Sequence, residues 1–414
     1  MLKTMAEASA ALALGGDLSS DDTTCTVQYG AFVRTFPRGE LPWVTKTAGR
    51  IRPSLRMDSD GPKALMACSL AEEELARVLG GGRPAVLCHP STGASGFYRT
   101  LFPLSLVSEQ GEIDVVFTPK EPRLEEILRY SVLWIQIAAT GSLLTAARVA
   151  KAAGVKIVYE IDDAFWAPPA GHQAEQYCTP ERIDRMWRMV EIADQVVTTT
   201  TRMASPLASR SHSTPIVLPN CLPARMWPAR KRPVSGRILW AGSPTHAEDL
   251  ESIAEPLGRV VDQFPEAHLV LFGQDAPESV RRAVRGRVEQ LPWVEFDEYP
   301  EALAGAAAVV ALAPLVDNAF NRCKSAIKAV DYGACGYPVI ASPVGEYAEV
   351  LAPGVTGWLA QTSADWHQRI LQVLQAPEAA DPVGRALRTW VLEHRDERAC
   401  RGAWTRALHD LLVH

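Results

Sequence analysis

Short apolar runs alternate with amphipathic segments along most of the chain, beginning near residue 84. In the first half, six runs rich in β-branched and aromatic residues predict strands at 85–89, 114–118, 132–137, 156–161, 195–200 and 216–218. Segments with helical periodicity lie between them, near 98–108, 123–129, 142–153, 181–192 and 202–209. Strands that alternate with helices at this spacing are typical of βαβ units, so we predict a parallel sheet with helices on both faces.

The same alternation restarts after a basic, proline-containing connector at 225–237, which predicts a second α/β domain. Strands are expected at 237–240, 268–272, 306–312 and 339–341, and a helix from 246 to about 264, with a capping box at Thr245 and Glu248. From 364 the chain is predicted to be helical, apart from a break near 377–382. We therefore divide it into an N-terminal extension at 1–82, two Rossmann-like doubly wound domains at 83–222 and 223–385, and a C-terminal helix at 386–414.

Composition narrows the class of protein. The 414 residues are 47% hydrophobic and 22% charged, as in ordinary globular proteins, and the net charge of -6 gives no overall attraction to nucleic acid or anionic lipid. No apolar run reaches the roughly 18 residues of a membrane span. The cysteines are scattered without metal-binding spacing, so reduced thiols and a cytoplasmic location are expected. Residues 1–16 predict an alanine-rich helix, with a signal peptide as the alternative.

The most informative stretch is a helix predicted to begin at 322 or 323 and to end at 336. Lys324 and Lys328 lie in its first turns, where the positive end of the helix dipole and the neighbouring lysine oppose each of them. A bound anion would reverse both effects, because a helix amino terminus is a natural phosphate site. Asp331, one turn further, could accept hydrogen bonds from a ribose diol. The alternative interpretation is a solvated charged face in which Lys328 pairs with Asp331.

A longer pattern around this helix carries a family resemblance. The run Phe-Asn-x-x-Lys-Ser-x-x-Lys-x-x-Asp-Tyr-x-x-x-Gly-x-Pro-Val-Ile-Ala-Ser, from Phe320 to Ser342, resembles the donor-site helix of retaining GT-B glycosyltransferases in the broad group around glycosyltransferase family 4. In that group two glutamates frame the helix, whereas here Cys323 and Asp331 stand at the two positions. The chain is more similar to a divergent branch of the group. The resemblance implies a GT-B fold, in which two Rossmann-like domains face each other across a cleft and the C-terminal helix crosses back to the first domain.

The resemblance also implies an activity. Enzymes of this kind transfer a sugar from a nucleotide-diphosphate donor, such as a UDP-sugar, to a hydroxyl acceptor, and here retention of configuration and no metal or other cofactor are expected. Lys324 and Lys328 would neutralise charge that develops on the leaving diphosphate, and Asp331 would hold the ribose. The other donor-binding residues implied by the resemblance are Gly242, Ser243, His246, Ser325, Gly345, Glu346 and Tyr347. The nucleobase is expected near 294–296 and Tyr299.

Two loops of the first half are expected to face the acceptor. Ligands of parallel sheets bind at the carboxyl ends of the strands, and both loops follow predicted strands. The first loop has a spacing similar to that of the divergent branch, and its residues are Gly93, Gly96, Tyr98 and Arg99. The second loop carries Glu160, Asp162 and Asp163, three carboxylates that should meet water, a ligand or a metal.

The resemblance favours a catalytic role for the second loop over a metal site. It implies that Asp162 or Asp163 contacts the acceptor hydroxyl or the transferred sugar. Adjacent aspartates also occur in the metal motif of the GT-A class, but two separate doubly wound halves are not typical of that class. A structural cap for the segment that follows is the alternative role for these aspartates.

Three other functions fit parts of the sequence. The segment 34–56 carries six basic residues against one acidic residue, Glu40. A phage-type glycosyltransferase acting on a hydroxymethylated DNA base would suit this segment, although a solvated surface arm is the simpler interpretation. A nucleotide-sugar epimerase would share the fold. A non-catalytic sugar-nucleotide binder would suit a helix that lacks both framing glutamates.

Overall fold

The computed structural model describes residues 85–413, except 112, 170 and 274, together with the backbone of five short strands nearer the amino terminus. Three of these strands form an antiparallel sheet, β1 (Asp17–Ser20), β2 (Thr24–Tyr29) and β3 (Phe32–Pro37), and two form an antiparallel pair, β4 (Val44–Thr47) and β5 (Arg50–Pro53). The sequence analysis did not predict them. The helix predicted at 1–16 and the side chains of the basic segment at 34–56 lie outside the described residues.

The first α/β unit is a six-stranded parallel sheet in the order β7-β6-β8-β9-β10-β11. Its strands are β6 (Ala85–His89), β7 (Asp114–Phe117), β8 (Val132–Gln136), β9 (Lys156–Ile161), β10 (Gln195–Thr198) and β11 (Ile216–Val217). The connecting helices are α1 (Ala94–Gly96), a π-helical turn (Phe97–Leu101), α2 (Phe102–Ser108), α3 (Leu124–Ile127), α4 (Gly141–Ala152), a 3-10 turn (Gln173–Tyr177), α5 (Pro180–Ile192) and α6 (Thr201–Ala208). All five residues of β6 and of β8 are buried, as expected for strands covered on both faces.

The second unit is also a six-stranded parallel sheet, in the Rossmann order β14-β13-β12-β15-β16-β17. Its strands are β12 (Arg237–Gly242), β13 (His268–Gly273), β14 (Val288–Leu291), β15 (Val310–Ala313), β16 (Val339–Ala341) and β17 (Trp358–Leu359). Its helices are α7 (Ala247–Glu251), α8 (Ala254–Gln263), α9 (Glu278–Ala283), α10 (Tyr299–Gly305), α11 (Ile327–Cys335), α12 (Tyr347–Val350) and α13 (Ser363–Gln375), with 3-10 turns at Ala224–Met226, Pro244–His246 and Asn321–Cys323. The prediction of two doubly wound domains is therefore confirmed.

Two long helices, α14 (Pro377–His394) and α15 (Glu397–Val413), end the chain. The predicted break at 377–382 is wrong in position and extent, because in this region the helices are interrupted only at Ala376, and Pro382 lies inside α14. The last helix crosses back to the first unit and packs on α2, as predicted. Its Trp404 stacks on Trp134 of β8, with 5.4 Å between the ring centroids. Among the described residues, no helix has both the length and the apolar character needed to cross a membrane.

Two predicted boundaries in the second unit are wrong. The strand expected from residue 306 begins at Val310, because Ala307 has a positive φ of 51° that interrupts extended backbone. The helix expected from 246 to 264 is divided into a 3-10 turn, α7 and α8. Its predicted capping box is absent, since the hydroxyl of Thr245 bonds the hydroxyl of Ser243 at 2.7 Å and no side chain caps this start.

The helix at the centre of the sequence analysis also begins later than predicted. Residues Asn321–Cys323 form a 3-10 turn, Lys324 has extended backbone (φ -66°, ψ 144°), and α11 begins only at Ile327. The helix ends as predicted, at Gly336, whose left-handed φ of 80° favours glycine. Of the two lysines, only Lys328 therefore lies in the helix.

The carboxyl ends of the two sheets face each other across a cleft. The units touch along one side of this cleft, where Phe97 in the π-helical turn packs on Phe296, which follows β14, with 4.3 Å between the ring centroids. The loops after the strands of both sheets therefore meet, and they carry most of the polar residues that the sequence analysis selected.

Candidate active site

A cavity of about 400 Å³ lies in the cleft between the two sheets. Of the residues selected from sequence, those that line it are Tyr98, Arg99, Asp162, Asp163, Gly242, Ser243, His246, Lys324, Ser325, Lys328, Asp331 and Tyr347. Five others do not line it, namely Gly93, Gly96, Glu160, Gly345 and Glu346. The fold thus brings both predicted groups, donor-side and acceptor-side, to one cavity.

Lys328 is a half-buried cation in the cavity wall, in the first turn of α11. Burial lowers the pKa of its ammonium group to about 8, and the nearby charge of Lys324 acts in the same direction. The ammonium group lies 5.9 Å from the ring centroid of Trp240. It forms no ion pair or hydrogen bond with any described residue, so the pairing of Lys328 with Asp331 considered above is not observed.

Lys324 reaches across the cleft to the first unit. Its ammonium nitrogen lies 3.1 Å from each carboxylate oxygen of Asp163 and 4.6 Å from the ring centroid of Phe320. The backbone next to it is held by the first unit as well, since the hydroxyl of Thr200 donates to the carbonyl oxygen of Cys323 at 3.0 Å. The cationic loop of the second unit is therefore docked on the carboxylate loop of the first.

His246 lies at the start of α7 and presents an uncharged ring to the cavity. Burial and the positive charge of Lys328 lower the pKa of its imidazole to about 3. Its Nδ1 is 2.8 Å from a carboxylate oxygen of Asp249. The other oxygen of Asp249 accepts hydrogen bonds from the backbone nitrogen of Val316 and the amide of Asn321, both at 2.9 Å. Asp249 thus fixes the orientation of His246 and the loop that leads to Lys324.

The loop after β12 and the end of the neighbouring β13 pack so closely that glycine is needed at two positions. A Cβ atom on Gly242 would lie 2.7 Å from ring atoms of Trp240, which is too close for any larger residue without rearrangement. Gly273, at the end of the neighbouring β13, has a φ of 94° and would bring a Cβ within 2.8 Å of the carbonyl oxygen of Gly242. The absence of side chains at these two positions leaves the backbone next to Ser243 open to the cavity.

Asp331 lies one turn into α11 and is buried. Burial raises the pKa of its carboxyl group well above the ordinary value, although the hydroxyl of Tyr98 donates a hydrogen bond to it at 2.9 Å. Tyr98 belongs to the first unit, so this bond also crosses the cleft. The residue expected to hold a ribose is therefore already engaged by the acceptor side.

Glu346 and Gly345 support the lysine loop from behind. One carboxylate oxygen of Glu346 accepts the backbone N–H of Ala326 at 2.8 Å, at the amino end of α11, and the other is paired with Arg395. Gly345 has a φ of 63°, and a Cβ there would lie 2.6 Å from the carbonyl oxygen of Lys324. Of the three residues expected from sequence to bind the donor here, only Tyr347 lines the cavity.

Arg99 and Glu160 form a buried ion pair beneath the cavity, with 2.6 Å between the guanidinium and a carboxylate oxygen. The same guanidinium donates to the carbonyl oxygens of Leu218 and Thr198 and to the side chain of Asn220. Burial raises the pKa of Glu160 to about 8, even though Arg99 acts in the opposite direction. This pair connects the sheet to the inter-unit connector, and Glu160 does not reach the acceptor side of the cavity as the sequence analysis expected.

The glycines of the first loop shape its backbone. Gly93 has a φ of 93°, and a Cβ on Gly96 would lie 2.2 Å from the carbonyl oxygen of Ser91, so the loop can close only with glycine at this position. Ser95 lies between the two glycines in the sequence and lines the cavity. Its hydroxyl donates a hydrogen bond to Asp162. Sequence reasoning missed Ser95 and its other partner, Gln136, because nothing in the local pattern distinguishes them.

An aromatic group closes the far end of the cavity. Its members are Phe272, Trp293, Phe296 and Tyr299. Trp293 is 64% exposed, which is unusual for a tryptophan and leaves a ring face at the cavity mouth. The region predicted to meet a nucleobase, 294–296 with Tyr299, therefore lines the cavity.

A further contact joins the connector between the two units to the lysine loop. The amide of Asn220 donates a hydrogen bond to the hydroxyl of Ser325 at 2.9 Å.

In the described part of the chain, no group of three or more His, Cys, Asp or Glu side chains is arranged to hold a metal ion.

Comparisons with known proteins agree with this geometry. Residues 235–376, which include most of the second unit, match the family described as glycosyl transferases group 1. The chain is similar to sucrose-phosphate synthase from Thermosynechococcus elongatus, with 16% sequence identity and a TM-score of 0.57. The alignment covers 80% of this chain and 99% of the synthase chain. The chain is also similar to HepE from Anabaena, solved in complex with UDP and glucose, with 12% identity and a TM-score of 0.59. That alignment covers 79% of this chain and 100% of the HepE chain. A search of the curated proteins finds no significant match.

The two facing Rossmann-like units define the fold as GT-B, which the neighbouring structures share. The match over the second unit assigns the chemistry: the protein is a glycosyltransferase.

Proposed function

We propose that the protein transfers a sugar from a nucleoside diphosphate sugar, such as a UDP-sugar, to a hydroxyl acceptor, with retention of anomeric configuration and without a metal ion. The observation that carries the proposal is Lys328, a half-buried cation in the cavity without an anionic partner among the described residues. A desolvated, unpaired cation is costly to the folded state. A bound diphosphate would offset that cost.

The other groups around Lys328 suit the same ligand. Lys324 can neutralise a second phosphate charge, and the uncharged ring of His246 can donate or accept a hydrogen bond beside it. The aromatic end of the cavity offers ring faces for a nucleobase. HepE, which has the same fold, was solved with UDP-glucose, with 14% identity and a TM-score of 0.58. These features support UDP-sugars as the first donors to test.

The acceptor is proposed to enter from the side of Asp162 and Asp163. Metal independence is proposed because two lysines can supply the positive charge that a leaving diphosphate requires. Retention is proposed from the resemblance of the segment around α11 to retaining enzymes. A product analysis by NMR shows the anomeric configuration of the transferred sugar, and the same reaction run with excess chelator shows whether activity needs a divalent cation.

The donor assignment is tested by Lys328→Ala. A charge-assisted hydrogen bond contributes about 1.5–3 kcal/mol, so affinity for UDP should fall by at least about tenfold in isothermal titration. Without ligand, the melting temperature should stay unchanged or rise slightly, because the change removes a cation from the positive end of a helix. Lys231→Ala, at an exposed position of the second unit, is the matched control and should bind UDP like the wild type.

A panel of nucleoside diphosphates and their sugars, screened first by thermal shift, selects the ligand for this titration. If Lys328→Ala binds the selected nucleotide as tightly as the wild type does, the donor site is wrongly assigned. If a UDP-sugar is converted to its epimer without an acceptor, or is bound without transfer or hydrolysis, the proposed reaction is wrong.

A further inference from the structure

Asp162, the first residue after β9, has one carboxylate oxygen that no neighbour uses. Its Oδ2 accepts the hydroxyl hydrogen of Ser95. Its Oδ1 is buried, and no other described residue donates a hydrogen bond to it. A buried carboxylate oxygen without a donor is costly, and Asp162 lines the cavity, so a ligand hydroxyl that donates to this atom would offset the cost.

The orientation of Gln136, at the end of β8, follows from its partners. Its Oε1 lies 3.0 Å from the backbone nitrogen of Ser91, and its Nε2 lies 2.7 Å from the hydroxyl of Ser95. A backbone N–H can only donate, so the atom that faces Ser91 must be the amide oxygen and the atom that faces Ser95 must be the amide nitrogen. Gln136 is 1% exposed, and its Oε1 also lies 3.0 Å from the hydroxyl of Thr100.

The direction of the next hydrogen bond is then determined. A serine hydroxyl has one hydrogen. Because the Ser95 oxygen accepts from Gln136, that hydrogen is free to be donated to Asp162 Oδ2. Gln136 and Ser95 therefore form a one-way chain of donors that ends on Asp162, and this chain leaves Asp162 Oδ1 without a donor from any other described residue.

We propose that Gln136 and Ser95 are positioning residues that hold Asp162 so that its Oδ1 accepts a hydrogen bond from a hydroxyl group of the acceptor substrate. The inference rests on the proposed function, in which a hydroxyl is glycosylated. It specifies the acceptor as a compound with a hydroxyl that donates into the first unit, next to β6, β8 and β9. A substrate analogue that lacks this hydroxyl leaves Oδ1 buried without a partner and loses transfer efficiency.

The chain of donors is tested first without any substrate, by NMR titration of aspartate carboxyl carbons in the full-length protein, with Asp162→Asn used to assign the signal. Ser95→Ala removes a donor to the carboxylate and should raise the pKa of Asp162. Gln136→Glu, which is close in volume, gives Ser95 a carboxylate to donate to and should raise it further. The exposed Thr92→Ala in the same loop is the control and should leave it unchanged. An unchanged or lowered pKa in Ser95→Ala overturns the proposal.

The second arm measures hydrolysis of UDP-glucose, in which water takes the place of the acceptor hydroxyl, together with titration of UDP. Ser95→Ala should lower the hydrolysis rate by roughly tenfold to a hundredfold, with UDP affinity kept within about threefold. Ser95→Thr retains the hydroxyl and should recover both the rate and the Asp162 pKa. Equal rates in Ser95→Ala and the wild type overturn the inference. Failure of the wild type to bind UDP instead contradicts the proposed function, and the NMR titration still decides whether the donor chain exists.

Discussion

At the residue scale, burial shifts the pKa values of two basic side chains that line the cavity. Lys328 has a pKa lowered to about 8, and His246 has a pKa lowered to about 3. His246 therefore stays neutral throughout the neutral and alkaline range, whereas Lys328 changes charge within it. A pH dependence of donor binding in this range can then be attributed to the lysine.

We expect UDP affinity to fall as pH rises through about 8, the pKa of free Lys328. A bound diphosphate favours the charged lysine and raises its pKa, so the complex holds a proton that the free enzyme has lost. Affinity is then constant well below this pKa and decreases by up to about tenfold per pH unit above it. Isothermal titration from about pH 7 to about pH 10, above the last phosphate ionisation, measures the slope.

Lys328→Arg is the control for this pH dependence. Arginine stays protonated over the whole range, so the decrease in affinity should disappear even if the absolute affinity changes. If the variant shows the same decrease as the wild type, another group is responsible, and the pKa of Lys328 is not linked to donor binding.

At the element scale, the amino end of α11 is built by residues distant in sequence. Ala326 donates its backbone N–H to Glu346, and Glu346 is held by Arg395 from the segment between α14 and α15. The first N–H groups of a helix need acceptors, and a side chain from outside the helix supplies one here. The position of the lysine loop thus depends on the C-terminal helices.

Glu346→Ala should lower the free energy of unfolding by about 3–5 kcal/mol, because it leaves the buried Arg395 without its counter-charge. The helix end also loses its acceptor, so affinity for UDP should fall as well. Urea denaturation measures the first effect and isothermal titration the second. Glu349→Ala, an exposed position in α12, is the matched control and should change stability by no more than about 0.5 kcal/mol. A loss in Glu346→Ala as small as the control's would mean that the pair does not support the loop.

The local sequence pattern was sufficient to predict the two sheets but not to predict all the residues that form the cavity wall. The apolar strands such as β6, β9 and β16 match their predicted bounds, because a short buried run with polar flanks is visible in the sequence. The period-two alternation of Thr24–Tyr29 could have indicated β2 but was not used. The start of α11 could not be predicted, since its acceptor, Glu346, lies in another loop. Gln136 is 41 residues from Ser95, so their contact also depends on the folded sheet.

At the scale of the whole molecule, three of the polar contacts that connect the walls of the cleft use side chains on both sides. They are the ion pair of Lys324 with Asp163 and the hydrogen bonds of Tyr98 with Asp331 and of Asn220 with Ser325. Each uses a residue of the second unit that the sequence analysis assigned to the donor. Under the proposed function, donor binding and contact between the two units are expected to be coupled, and by linkage such a coupling is reciprocal.

Asp163→Asn should tighten UDP binding by about threefold to tenfold, because Lys324 no longer has a competing anion. Transfer should decrease at the same time if Asp163 serves the acceptor. Asp184→Asn, an exposed aspartate in α5, is the matched control for isothermal titration. Weaker UDP binding in Asp163→Asn would mean that Asp163 orients Lys324 for the nucleotide and does not compete with it.

The ion pair between Lys324 and Asp163 has a further consequence for turnover. In the proposed reaction, the nucleotide product must leave a site that holds it with two cations. A carboxylate oxygen of Asp163 lies 3.1 Å from the ammonium nitrogen of Lys324, so Asp163 can pair with this cation again as the product moves away. The first unit would thus speed product escape, and each catalytic cycle would end with the enzyme displacing UDP by its own carboxylate.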